Sequence, residues 1–149
     1  MHMTRIPHGT WIAVADGAKA LFLRNDGEWD ALNFTEIHAF NSRKTARTSH
    51  MGTDRPGEIS RAGSMKSAVE QTDWHQIEEQ RFARFVEAEL EKNFTEGQFK
   101  HLVVVAPAKT LAELRKHFSA RLRAAIIREI DKDLTKHPLY EMERLILAS

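Results

Sequence analysis

An α/β domain built on a mixed five-stranded sheet is predicted by three features of this sequence. Residues 10–24 hold two apolar, partly β-branched runs separated by Asp16-Gly17. Residues 102–106 form an unbroken apolar run, Leu-Val-Val-Val-Ala, which stops at Pro107. Around that run lie segments whose apolar residues recur at helical spacing. A hairpin, a strand covered on both faces and amphipathic helices satisfy these three patterns. The length of 149 residues and the 42% apolar content suit one domain over the whole chain, residues 1–149. The expected order is βββ-α-β-α-β-α, an open sheet with helices packed on it.

Thr10 to Ala15 and Ala18 to Arg24 are read as a hairpin because Asp and Gly both tolerate the positive φ of a tight turn. Asn25-Asp26-Gly27 is a second turn signal. Beyond it, Trp29 to Phe40 suit a third strand, with Phe34, Ile37 and Phe40 as its apolar positions. From Asn41 to Ser67 the periodicity disappears, and this stretch is expected to be a long mobile loop. Its isolated apolar residues Met51, Ile59 and Met65 bury too little area to offset ~1–2 kcal/mol of ordering entropy per residue.

Asp73 followed by Gln76 has the spacing of a helix N-terminus. Trp74, Ile77, Phe82, Phe85, Val86, Leu90 and Phe94 then trace an apolar stripe that ends near Gly97. The acidic residues Glu78, Glu79, Glu87, Glu89 and Glu91 are read as a solvated outer face. Leu102 to Ala106 is placed at the middle of the sheet. Thr110 and Glu113 have capping-box spacing for the next helix, whose stripe is Leu111, Leu114 and Phe118 and whose other face is basic, with Lys109, Arg115, Lys116 and Arg121. Ala124 to Ile130 fits neither period cleanly and is assigned to a strand. Pro138 suits the first turn of a last helix with the stripe Leu139, Met142, Leu145 and Ile146.

Composition narrows the functional classes. The charged fraction is 29% and the formal charge +1, so no global bias toward nucleic acid exists. Charge is unevenly placed, however. Asn41 to Ser67 carries six basic residues (Arg43, Lys44, Arg47, Arg55, Arg61, Lys66) against two acidic ones (Asp54, Glu58), a local charge of +4. The absence of cysteine removes disulfides, thiolate nucleophiles and Cys-ligated zinc. The start Met1-His2-Met3-Thr4-Arg5 has no signal-peptide run, and no apolar stretch approaches the ~20 residues of a membrane span. A cytoplasmic location is expected.

Four segments carry a resemblance. They are Trp11-Ile12-Ala13-Val14-Ala15-Asp16-Gly17-Ala18, Asp54-Arg55-Pro56-Gly57, Leu102 to Pro107 with Leu111, Leu114 and Arg115 beyond it, and Asp131-Lys132-Asp133-Leu134-Thr135. In that order they resemble the host attachment protein family, proteins described as required for attachment to host cells. The residues so matched include Asp16, Gly17, Pro56, Pro107, Asp133 and Leu134. Glu58 departs from the family's pattern, which has a basic residue there. The name denotes a phenotype and implies no cofactor or catalytic residue.

More distantly, the strand and helix order, with Arg81-Phe82-Ala83-Arg84 early in the first helix, is similar to the middle domain of archaeal and eukaryotic translation release factors. That resemblance implies a ribonuclease H-like or ribosomal-protein-like core. It also implies that a loop just before the helix carries Gly-Gly-Gln into the ribosomal peptidyl-transferase centre. Asn41 to Ser67 contains no glutamine and no Gly-Gly pair. Peptide release is not expected, whereas a basic loop presented to RNA is.

Candidate sites follow from these readings. Asp16 stands where ribonuclease H-like folds place a metal-binding carboxylate, but two-metal chemistry needs several converging acids, and only Asp131 and Asp133 offer themselves. Asp16-Gly17 has a sufficient explanation as a turn. Asp54-Arg55-Pro56-Gly57 is likewise a β-turn sequence, with Arg55 its candidate contact residue. No His-x-x-x-His, phosphate-binding glycine loop or nucleophile elbow occurs. No cofactor or metal is expected. The leading expectation is a non-enzymatic binding protein that engages RNA or the ribosome through Arg43, Lys44, Arg47, Asp54, Arg55, Gly57 and Arg61, assisted by Lys109 and Arg115. The alternatives are a protein-protein adaptor acting indirectly in attachment and a metal-dependent nuclease using Asp16.

Overall fold

The computed structural model describes residues 5–42 and 68–149, with side chains from Trp74 onward in the second range. The long stretch expected to be a mobile loop lies outside the described residues from Arg43 to Ser67. An antiparallel meander opens the chain: β1 (Trp11–Ala15), β2 (Lys19–Asn25) and β3 (Phe34–Asn41). Helix α1 (Ala68–Thr95) precedes β4 (Leu102–Ala106), which pairs parallel with β1. Helices α2 (Ala108–His117) and α3 (Ala120–Ala125) lead to β5 (Ile126–Asp131), parallel with β4, and α4 (Leu139–Ala148) closes the chain.

The strand order is β3-β2-β1-β4-β5, a mixed open sheet of the expected α/β class. β1 is its centre and β4 lies one place away, so the unbroken apolar run is internal without being central. Both strands are buried along their whole length.

Alternation within the strands separates two cores. Ala13, Ala15, Phe22, Val104 and Ala106 pack under α1, α2 and α3 with Phe82, Val86, Leu90, Leu111, Leu114 and Leu122. Ile12, Val14, Leu21, Leu23, Val103 and Val105 face the other way, against Leu134 and the α4 residues Met142 and Ile146. Three layers result, with three helices on one face of the sheet and one on the other.

Several local expectations are corrected. β3 starts at Phe34 rather than Trp29, which is 41% exposed. The intervening turn is organised by buried Asn25, whose Oδ1 accepts from the N–H groups of Gly27 and Asn33, both at 3.0 Å. Helix α1 begins at Ala68, so Asp73 lies inside it and is not its N-cap. Helix α2 is capped by Pro107 with no side-chain cap bond. Proline fixes φ for the entry and lets the helix start directly after β4, which leaves Thr110 one turn too late to cap it. Ala124 and Ala125 end α3, an additional short helix, and the strand begins at Ile126. Serine decides this: Ser119 Oγ accepts from Leu122 N at 3.0 Å, a side-chain N-cap.

At the far end of α1, Gly97 adopts φ +77, and Gly97 and Gln98 donate to the carbonyls of Phe94 and Asn93, both at 3.0 Å. A left-handed glycine of this kind ends a helix without steric cost. Twenty-eight residues make α1 ~42 Å long, against ~17 Å for a five-residue strand. The helix therefore overhangs the sheet. Phe82 is the first buried side chain described along it, and Trp74 and Ile77 of the expected stripe are 45% and 41% exposed.

Candidate functional site

β1, β4 and β5 run parallel, and their C-terminal ends deliver Asp16, Pro107 and the 132–137 turn to one edge of the sheet. Open α/β sheets bind ligands along that edge because the connecting loops leave a crevice there. The hairpin turn at Asp16 is made by the side chain. Asp16 N donates to Lys19 O at 2.8 Å, while its Oδ1 accepts from Ala18 N at 2.8 Å and Lys19 N at 2.7 Å. Carboxylate oxygen replaces the backbone acceptor of a regular two-residue turn. No positive φ is used at Gly17, in contrast to the sequence expectation.

Leu134 fixes the opposing turn. It is 3% exposed and sits in the core beneath α4, so the residues on either side of it are held at the sheet edge. Thr135, 2% exposed, places its hydroxyl 2.9 Å from Oδ2 of Asp16 and 2.9 Å from Oδ1 of Asp133. A hydroxyl has one proton to give. Asp133 Oδ1 also takes the Thr135 N–H, at 3.3 Å, so the hydroxyl proton is best used on Asp16. The Asp-Leu-Thr sequence is thereby a clip: one residue anchors, and its neighbours hold the hairpin turn.

On the other side of the turn stands α1. A Cβ added to Gly17 would lie 2.7 Å from Oε2 of Glu79, so glycine is what allows this carboxylate to lie over the turn. Glu79 Oε1 in turn pairs with Lys109 Nζ at 3.2 Å, linking α1 to the first turn of α2. Gln76, Gln80, Ala83, Thr110 and Glu113 complete an open groove of about 220 Å³ around this pair. Polar amides, a hydroxyl and paired charges line it.

The structure thus brings Asp16, Gly17, Pro107, Asp133 and Leu134 to one edge, with Lys109 beside them. Arg115 is separate. It lies six residues after Lys109, ~9 Å along α2 and on a different face. Its guanidinium donates to Glu129 through Nε at 2.7 Å, which holds its pKa above the ordinary arginine value. Lys109 and Arg115, the two helix residues expected to assist binding, are therefore both in ion pairs. Arg43, Lys44, Arg47, Asp54, Arg55, Pro56, Gly57 and Arg61 lie outside the described residues. Ser42, the last described residue before them, donates its N–H to Ala18 O at 2.7 Å, beside the Asp16 turn.

At this edge the carboxylates of Asp16 and Asp133 accept hydrogen bonds from the two turns. Both oxygens of Asp16 are engaged by the turn and by Thr135. Asp131 acts electrostatically on Arg115. Among the described residues, no group of three or more His, Cys, Asp or Glu side chains is placed to hold an ion.

Glu79, Thr135 and Glu91 take structural parts that their sequence positions did not announce. The acidic stripe of α1 is not simply solvated. Glu91 accepts the Ser119 N–H at 2.7 Å and its hydroxyl at 2.9 Å, and Glu87 is pushed above the usual carboxylate range by burial and then by neighbouring Glu91. An (i, i+4) run of glutamates looks identical whether or not another element is docked on it.

Fold and edge together define an α/β domain whose distinguishing residues sit on the loops at the C-terminal ends of its parallel strands. The model of the family described as bacterial archaeo-eukaryotic release factor family 12 matches residues 9–146. The chain belongs to that family. Of the two resemblances carried by the sequence, the match supports the release-factor relation and lends nothing to the host-attachment name. A curated relative, "Uncharacterized protein RP470" of Rickettsia prowazekii (strain Madrid E), is 34% identical over 79 residues, covering 52% of this chain and 53% of that protein. The match thus spans about half the length of the relative. Among the described residues no helix is long and apolar enough to cross a membrane.

Proposed function

We propose that this chain is a translation-linked binding domain that engages ribosome-associated RNA without hydrolysing a peptidyl ester. The observation that carries the reading is the family match over residues 9–146, combined with a pre-helix stretch that lacks Gly-Gly-Gln and holds a local charge of +4. A release-factor-like core supplies the architecture, and basic residues in place of the catalytic glutamine supply phosphate contacts. Ser42, the last described residue before that stretch, and Glu79 of α1 both lie against the Asp16 turn, which supports the reading.

Charge on the described edge favours the same division of labour. Lys109 is committed to Glu79, and Asp16 and Asp133 are close by, so the described edge positions and orients while cations elsewhere bind. Retention of total RNA by the purified protein, measured at about 50 mM and about 200 mM salt, tests the reading. Neutralising several phosphates releases counterions, and affinity should fall by at least about tenfold across that range. Absence of salt-sensitive retention removes RNA and favours a protein-protein adaptor, which would copurify with its partner at either salt.

A further inference from the structure

We infer that the outer surface of α2 and α3 holds the phosphate backbone of a duplex RNA segment, with Lys116, Arg121 and Arg123 as its contact residues. The inference rests on the RNA reading above and says which described surface the RNA lies on.

Residues 108–125 carry five basic residues and one acidic, Glu113, a local charge of +4. Folding sorts them further. The exposed residues of this stretch are five cations, four alanines and Ser119, while Glu113 is half-buried. Leu111, Leu114, Phe118 and Leu122 turn inward to the core and leave the charged side outermost. Alanines between the cations keep the surface low, so a stiff polyanion can approach the helices closely. Helix α1 alongside is net acidic, with seven acids against three bases. Phosphate is therefore directed to α2 and α3 rather than to α1.

The contact cations are held in place with donors to spare. Arg121 stands over the Phe94 ring at 5.4 Å from its centroid, and stacking leaves the in-plane N–H donors of a guanidinium free. Arg123 Nη2 donates to the carbonyls of Arg115 and Phe118 at 3.0 and 3.3 Å, at the end of α2, which leaves its Nε and Nη1 donors. Neither arginine is in an ion pair with a described residue. Lys116 reaches Glu113 at 3.1 Å with its side chain 61% exposed. Lys109 and Arg115 are held by Glu79 and Glu129, and Glu91 of α1 is occupied by Ser119. Side chains fixed in this way lose little freedom on binding.

The absence of an open ring selects the form of RNA. Phe118 is the one phenylalanine of residues 108–125 and is buried, so nothing there stacks on an unpaired base. Phosphate contact without stacking is how duplex RNA is held, since its deep, narrow major groove hides the base edges.

The test is fluorescence anisotropy of the full chain with a labelled RNA hairpin whose stem has about 16 base pairs, together with thermal unfolding of each variant. The double variant Lys116→Gln/Arg121→Gln should weaken binding by about tenfold and lower the slope of log affinity against log salt by about two. Its unfolding midpoint should stay at the wild-type value, because both side chains are exposed. Arg121→Lys should keep the wild-type slope. Arg144→Gln, on α4 at the opposite face of the sheet, should change neither affinity nor slope.

Wild-type affinity and slope in the double variant overturn this face and leave the RNA reading intact. Equal affinity for an unpaired strand of the same length, with the same loss in the double variant, overturns the duplex as occupant. No binding of either RNA by the wild-type protein removes the RNA reading and this inference together. Self-association of the wild type that the double variant loses, with RNA affinity unchanged, assigns the face to the acidic α1 of a second copy and also overturns the inference.

Discussion

The Thr135 hydroxyl bonds Oδ2 of Asp16 at 2.9 Å across 119 positions of sequence. This contact ties the opening hairpin to the turn after the last strand, and it does so at the edge where the parallel strands end. Its partners are short polar side chains held by buried neighbours, Ala15 on one side and Leu134 on the other. The edge is thereby built as a rigid platform from which longer side chains can project.

Removing the hydroxyl should expose its contribution. Thr135→Val is expected to destabilise the protein by about 1–2 kcal/mol, because a part-buried carboxylate contact is lost while shape is kept. Thr135→Ser should retain most of the stability. Urea denaturation of the three proteins measures the difference, and equal midpoints would show that the contact carries no energy.

Ser119 joins α1 to α3 through Glu91 and caps α3 through Leu122 N. Ser119→Ala is expected to cost about 1 kcal/mol for the cap alone. Glu91→Gln should cost less, since an amide oxygen can still accept the Ser119 N–H. Chemical denaturation reads both, and the order of the two losses is the informative outcome.

Two glycines separate close approach to a side chain from close approach to backbone. A Cβ at Gly27 would lie 2.2 Å from Ala31 O, whereas at Gly17 it meets the flexible Glu79 side chain at 2.7 Å. Gly27→Ala should therefore destabilise by about 2 kcal/mol or more through forced backbone movement. Gly17→Ala should cost under about 1 kcal/mol and cost nothing further in a Glu79→Ala background. Thermal unfolding of the wild type, the three single variants and the Gly17→Ala/Glu79→Ala double variant checks the comparison.

Asp26 gives a pH dependence of known sign. Bonds from Arg24, at 2.6 and 3.2 Å, and then from Thr35 lower its pKa from 3.8 to about 2. A depressed folded-state pKa contributes stability that is present above the unfolded value and lost as pH falls through the folded one. The loss should thus fall between about pH 4 and pH 2. The side chain is 30% exposed, so the effect is reduced by solvent screening. Urea midpoints of wild type and Asp26→Asn should converge as pH drops across that window; a constant gap would contradict the assignment.

Much of this architecture was legible in the sequence because its signals are local and repeated. Leu102 to Ala106 and Pro107 marked β4 to the residue, and Leu139, Met142, Leu145 and Ile146 marked α4. Capping signals misled at Asp73 and Thr110, since a two-residue spacing match competes poorly with helix-forming neighbours or with a proline already in place. Ala124 and Ala125 went to a helix because Ser119 caps it, a bond that periodicity does not register. At the site, Asp16, Gly17, Pro107, Asp133 and Leu134 were visible as separate motifs, but their convergence was not. Glu79 over Gly17 and Thr135 against Asp16 depend on the strand order, which no single segment encodes.

The most direct test of the central claim is affinity purification of the tagged full chain from its native cell, with and without ribonuclease treatment. A translation-linked RNA-binding domain should bring down ribosomal RNA and ribosomal proteins together, and ribonuclease should release both. Recovery of the same protein partners after complete digestion of RNA, with no ribosomal RNA before it, would contradict the account.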